Sequence, residues 1–189
     1  AGTAGVLNIQ ASGTYDITGG NSGFALNTVL AGNAINVSGT LRKSDGTLST
    51  ITVPLNLTGG TIDVVNAAGR LRADAGGSLT APSSLTGPGR LTLNGGTFTS
   101  SSNLSGSGTF ETSNGTLTGT GNLSLAGLIH SGGDFGGSVN ATANTSFTFT
   151  GGALSGNGTT TVAPAATGTV QNINTPVLGR ALNVQGTLT

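Results

Sequence analysis

Cysteine, methionine and tryptophan are absent from the 189-residue chain, and charge nearly so: six basic and six acidic side chains make up 6% of it and cancel. Without cysteine there is neither a disulfide nor a thiolate metal ligand, and thiol usage says nothing of redox compartment. An ordinary soluble domain carries about 25% charged residues. The neutrality removes the footprint of a nucleic-acid binder, which needs clustered Lys and Arg to displace counterions from phosphates. With 4% aromatic and 34% hydrophobic residues, a wide globular core cannot be filled. No apolar run approaches the ~20 residues of a membrane span. The start, Ala1-Gly2-Thr3-Ala4-Gly5, lacks the basic flank and apolar stretch of a signal peptide, which reads as mature protein or as a piece of something longer.

What is abundant is glycine, 35 residues of it, with Leu, Ile, Val and Phe recurring between turn signals. That recurrence predicts order, since disordered polar tracts lack periodic apolar residues. Three stretches share one wording: Leu55-Asn56-Leu57-Thr58-Gly59-Gly60-Thr61-Ile62, Leu91-Thr92-Leu93-Asn94-Gly95-Gly96-Thr97-Phe98 and Phe147-Thr148-Phe149-Thr150-Gly151-Gly152-Ala153-Leu154. Weaker copies begin at Leu71, Phe110 and Leu128, so the starts at 55, 71, 91, 110, 128 and 147 are 16, 20, 19, 18 and 19 residues apart. A drifting period of this size is that of a solenoid coil with variable loops.

Period-two alternation turns Leu55/Leu57, Leu91/Leu93 and Phe147/Phe149 inward. The Gly pair, or Asn114-Gly115, then turns the chain through a conformation that glycine reaches without a Cβ clash. A second inward column follows at Ile62, Leu79, Phe98, Leu117, Phe135 and Leu154, and a looser third at Leu85, Leu104, Leu123 and Val139. No segment has the apolar stripe of an amphipathic helix. The expected fold is all-β: a right-handed parallel β-helix with coils of about 18–20 residues and no substantial helix. It forms one continuous domain, with less regular β-rich coils over 1–54, regular repeats over 55–165 and a C-terminal coil without an obvious polar cap over 166–189.

The wording of Gly95-Gly96-Thr97-Phe98-Thr99, Ser107-Gly108-Thr109-Phe110 and Gly115-Thr116-Leu117-Thr118-Gly119-Thr120-Gly121-Asn122-Leu123 resembles bacterial secreted β-helices of the autotransporter-passenger and filamentous-haemagglutinin kind. The likeness spans about the last two-thirds of the chain and is one of style, so no binding residue transfers. It implies surface display on a bacterium, extracellular or at the cell surface, with adhesion, biofilm or filament formation. The uncapped coil separately leaves two expectations, that the protein continues beyond these residues or that its ends self-associate end to end; surface glycans are a further expected partner, and no enzyme activity or cofactor is expected.

Several side chains are candidates for a site. Thr61, Ser78, Thr97 and Thr116 on one side of the second strand, and Asp63, Thr80, Thr99 and Thr118 on the other, read as outward columns. Paired threonine arrays of this kind resemble the ice-contacting surface of several β-solenoids, although Thr is also an ordinary strand residue. Arg70, Arg72 and Arg90 form a candidate patch for an anionic glycan or lipid head group, set against a merely solvated corner. Arg42-Lys43 reads as a polar turn with Ser44-Asp45-Gly46. His130, the only histidine, takes an inward position and is expected to reach Thr112 one coil earlier rather than a metal, which would need more ligands. Gly132-Gly133-Asp134-Phe135-Gly136-Gly137 lacks the spacing of a calcium nonapeptide. The six acids are scattered, with no carboxylate pair for glycoside chemistry, which leaves a carbohydrate-processing β-helix a distant third reading. The nineteen-residue gap between Asn103 and Asn122 fits an interior or corner asparagine ladder better than glycan acceptors.

Overall fold

The computed structural model describes residues 4–19 and 32–189, and every regular element among them is a β-strand. The strands pair in parallel with the next coil's equivalents, which makes the chain a parallel β-solenoid of about seven turns. Three faces recur in the chain order second, third, first.

The first face stacks Leu48–Ile51, Arg70–Ala73, Arg90–Leu93, 109–112, 127–130, 146–149, 167–170 and Thr187–Leu188. The second stacks Val6–Ile9, Ala34–Val37, Leu55–Thr58, Gly77–Ala81, Thr97–Ser100, Thr116–Gly119, Asp134–Phe135, 153–154 and 177–178. The third stacks Thr14–Ile17, Thr40–Lys43, Thr61–Val64, Ser83–Thr86, 104–106, 122–125, 140–143, Thr159–Val162 and Ala181–Val184.

The inward residues form the core. Leu71, Leu91, Phe110, Leu128 and Phe147 stand in one column of the first face, as their spacing predicts. Phe98, Leu117, Phe135 and Leu154 do so on the second, and Leu104 meets Leu123 on the third. All are buried. Most strands turn two side chains inward, so the core is a narrow stack of short columns in which each large apolar side chain contributes about 2 kcal/mol.

The register departs from the spacing at the first copy. Leu55 and Leu57 belong to the second face, where Leu57 meets Leu79, and Ile62 belongs to the third, between Leu41 and Leu85. The position below Leu71 is held by Ser49 instead. The cause is that apolar-polar-apolar-polar-Gly-Gly encodes a strand and a turn, and this solenoid uses that wording at two different corners. Leu79 sits opposite Ser100, with Gly77 opposite Phe98, and Val139 is buried in the corner that precedes the third-face strand.

Glycine's conformational range is required where coils turn from the first face to the second. Gly76, Gly96, Gly133 and Gly152 at these turns have φ of 73, 64, 73 and 80°, and Gly152 lies over Gly133. A Cβ on Gly76 would stand 2.1 Å from the Thr97 carbonyl oxygen. Asn114 does not adopt this conformation; Thr175, at φ 48°, is the non-glycine residue with positive φ among the described residues.

Candidate functional site

Thr97 and Thr116 are register neighbours on the second face, as are Thr99 and Thr118, so the strands put four threonine side chains on a two-by-two outward grid. Parallel strands space such a grid at about 4.8 Å between coils. Ser78 extends the Thr99 column rather than the Thr97 column, and below it come Asn56, Asn36 and Asn8, joined by side-chain hydrogen bonds of 3.0, 2.9 and 2.8 Å. Asp134 and Ala153 continue the Thr97 column. Thr80 is exposed two residues beyond Ser78 on the same strand. Thr61 is elsewhere: it faces out from the third face, between Thr40 and Ser84, and Asp63 beside it takes a 2.9 Å ion pair from Arg42.

The third face carries the longest hydroxyl column, which reading by wording did not find. Thr14, Thr40, Thr61 and Ser84 are in register, and Ser105, Ser124, Thr142 and Thr161 continue the line. Beside it runs the asparagine ladder. Asn122 donates to Asn103 at 3.1 Å, Asn140 donates to Asn122 at 3.3 Å, and the Thr159 amide donates to the Asn140 side chain at 3.0 Å. The ladder is solvent-facing, and its signal was the recurrence of Asn-x-Ser/Thr at 103, 122 and 140. Towards the C-terminal end of the first face, Ser146/Thr148, Thr167/Thr169 and Thr187/Thr189 make a further set of outward hydroxyl pairs.

Each arginine of the patch is paired with a carboxylate, two of them sharing one. Arg70 and Arg90 are register neighbours. Both converge on Oε2 of Glu111, at 2.9 and 3.2 Å. The buried Thr92 hydroxyl donates to the same oxygen at 2.8 Å while accepting from Arg70 Nε at 2.8 Å. Arg72 pairs with Asp74 at 2.9 Å, and Asn94 donates to that carboxylate at 3.0 Å. An anionic ligand would compete with carboxylates already in place.

Two inward cations were not legible. Lys43 is fully buried, not part of a polar turn, because Thr40–Lys43 is a strand whose alternation puts Leu41 and Lys43 inside. Its ammonium donates to the Asp45 carbonyl, and burial pulls its pKa below the usual lysine range, opposed by the Asp45 charge. Arg180 is buried at the corner before Ala181–Val184. It donates to the carbonyls of Gly158 (3.0 Å), Phe135 (3.3 Å) and Val139, with its guanidinium carbon 5.3 Å from the Phe135 ring centroid.

His130 lies inside as expected, with Nδ1 on the Thr112 hydroxyl and its ring 5.4 Å from Phe149 and 6.2 Å from Phe135. Nε2 makes no hydrogen bond of normal geometry, although the Ala153 backbone lies near enough to favour the charged ring. Asp134, in the glycine-rich segment, accepts the Ser155 hydroxyl at 2.6 Å.

No protein-family model, curated protein or solved structure matches the chain. What the chain offers a partner is its outer surfaces. Their common property is repetition: hydroxyl and amide columns over an apolar core, with the acids Asp63, Asp74 and Glu111 held by arginines rather than directed at a cleft. No helix among the described residues is long and apolar enough to cross a membrane.

Proposed function

We propose that the chain is an extracellular structural or adhesive β-solenoid module of a bacterial surface fibre, in the style of autotransporter passengers and filamentous haemagglutinins, which assembles by stacking. The observation that carries this reading is the repetition of neutral hydroxyl and amide columns along the sides of a parallel solenoid, Thr14/Thr40/Thr61/Ser84 and the Asn103/Asn122/Asn140 ladder among them. Polar columns on the sides, without free charge clusters, suit a scaffold that meets neutral surface glycans along its length, and the reading is non-enzymatic. Electron microscopy and light scattering of the purified chain test it. Rods or filaments lengthening with concentration are expected, and a monodisperse monomer at high concentration overturns stacking.

A second reading, ice binding, is favoured by the Thr97/Thr99/Thr116/Thr118 grid. It predicts thermal hysteresis that Thr97→Tyr or Thr116→Tyr abolishes; wild-type protein without recrystallisation inhibition rejects it.

A further inference from the structure

Independently of how copies assemble, the corners of the solenoid differ in what they leave free to react. Asn-Gly occurs at Asn94-Gly95, Asn114-Gly115 and Asn157-Gly158. In such a pair the glycine nitrogen can attack the asparagine carboxamide, because no side chain on the glycine obstructs the approach. We infer that Asn114 is a site of spontaneous covalent modification, at which the folded protein converts this carboxamide to aspartate or isoaspartate.

The reaction needs two free groups, the carboxamide and the N–H that follows it. At Asn94 the carboxamide is held on both sides. Its Nδ2 donates to Asp74 at 3.0 Å, and its Oδ1 accepts from the Ser113 hydroxyl at 3.0 Å. At Asn157 the nucleophile is held instead: the Gly158 N–H donates to the Gly137 carbonyl at 3.3 Å, and the Gly158 carbonyl accepts from Arg180 Nε at 3.0 Å. Asn114 has neither restraint. Its side chain is exposed, and among the described residues nothing hydrogen-bonds its carboxamide or the Gly115 N–H. The backbone is anchored just outside the pair, where the Ser113 N–H donates to the Leu93 carbonyl and the Thr116 N–H to the Gly96 carbonyl, both at 2.9 Å. Space over the carboxamide is open because the next coil presents Gly132 there, and even a Cβ on Gly132 would stand 3.9 Å from Asn114 Oδ1.

Water is the sole co-reactant. Solvent base takes the Gly115 amide proton, the nitrogen bonds to Asn114 Cγ, and the Cγ–Nδ2 bond breaks, Nδ2 leaving as ammonia with a proton returned from solvent. Water then opens the cyclic imide. Breaking the bond from Gly115 N to Cγ gives aspartate. Breaking the bond from Gly115 N to the main-chain carbonyl carbon of Asn114 gives isoaspartate, which adds a methylene to the backbone. Either product moves the net charge from zero to minus one. Isoaspartate also lengthens a corner on which the next coil is laid: the Asp134 N–H donates to the Gly115 carbonyl at 3.1 Å, and a Cβ on Gly133 would stand 2.9 Å from the Asn114 carbonyl carbon. The rod therefore ages at one defined corner.

The test is peptide mapping by mass spectrometry of the folded chain held in warm, mildly alkaline buffer, beside a sample unfolded in urea, with isoaspartate read by enzymatic methylation. In the folded chain the Asn114 peptide should gain the amide-to-acid mass about tenfold faster than the Asn94 and Asn157 peptides, each of which must first give up hydrogen bonds. In urea the three should react at similar rates. Asn114→Gln, with the circular dichroism spectrum retained, should lose both the fast conversion and the methylation signal. Conversion of Asn94 or Asn157 as fast as that of Asn114 in the folded chain overturns the inference, and so does an Asn114 that reacts in urea but not when folded. A preference for Asn114 that persists unchanged in urea overturns it as well, since local sequence rather than the fold would then set the rate.

Discussion

Lowering the pH from 7 to 4 loads the middle of the rod through one residue. The His130 ring is 2% exposed, sits between Phe135 and Phe149, and spends Nδ1 on the Thr112 hydroxyl. Burial disfavours its charged form, and the Ala153 backbone and the Asp134 carboxylate offset this only in part, so its pKa is lowered from 6.5 to about 4. The unfolded chain takes up a proton at this ring as pH falls through 6.5, whereas the folded chain does not until about 4. Between those values the unfolded state binds more protons, so stability falls as pH falls and levels off below about 4. At 1.36 kcal/mol for each pKa unit, the interval amounts to about 3 kcal/mol. The assay is urea unfolding followed by circular dichroism at pH 7.5, 5.5 and 4, for the wild type and for His130→Leu, leucine being what Leu93 presents two coils away in the same column. At pH 7.5 the variant loses about 1 kcal/mol because the Thr112 hydroxyl is left unpaired, and Thr112→Val with His130→Leu recovers it. Between pH 7.5 and 4 the wild type should lose about 3 kcal/mol more than the variant, since the carboxylates are common to both. Parallel losses in the two proteins would refute the reasoning.

Thr160 occupies an inward position between Ala141 and Leu182, and its hydroxyl is buried without a partner; Thr160→Val should raise stability by about 1 kcal/mol in denaturant melts. Gly119 has φ 115°, and a Cβ there would stand 2.0 Å from the Ser100 carbonyl oxygen, so Gly119→Ala should cost more than about 2 kcal/mol by the same measurement. Leu123→Ala empties one side-chain volume from the third-face column and should cost about 3 kcal/mol. Glu111→Gln removes the charge that holds Arg70 and Arg90. It should lower stability by about 1–2 kcal/mol and raise retention on an anionic-polysaccharide column, and unchanged retention would show that those guanidinium groups do not reach a ligand.

The fold was legible because strand alternation and corner glycines are both local. From Leu71 to Leu154 the spacing named the first-face column, the run Phe98, Leu117, Phe135, Leu154, and the meeting of His130 with Thr112. Leu55 and Ile62 were misplaced because local wording cannot say which of three corners a Gly pair serves; that is decided by how long the other two sides of the coil are. Ser78 shifted column for the same reason, since Gly77–Ala81 enters its strand two positions out of step with Thr97–Ser100. The surface chemistry was less legible. Arg70 and Arg90 could be stacked from sequence, but Glu111, about twenty residues on, had to be placed in the adjoining column before their charge could be seen as already answered. Lys43 and Arg180 ran against expectation because charged residues are almost never fully buried unless paired, and backbone carbonyls, the partners here (Asp45 for Lys43, Gly158 for Arg180 among others), leave no mark in the sequence.

The Arg180 contacts bear on how such a rod comes apart. In a solenoid whose coils touch only their neighbours, an end frays one rung at a time, each loss costing one interface. Arg180 binds carbonyls 22, 41 and 45 residues back, so it ties the last rung to the two coils beneath it. Peeling at that end therefore requires three bonds from two different turns to yield together. Pulled from its C-terminal end, the rod should release this group of coils as one block, in a single large step rather than a series of small ones.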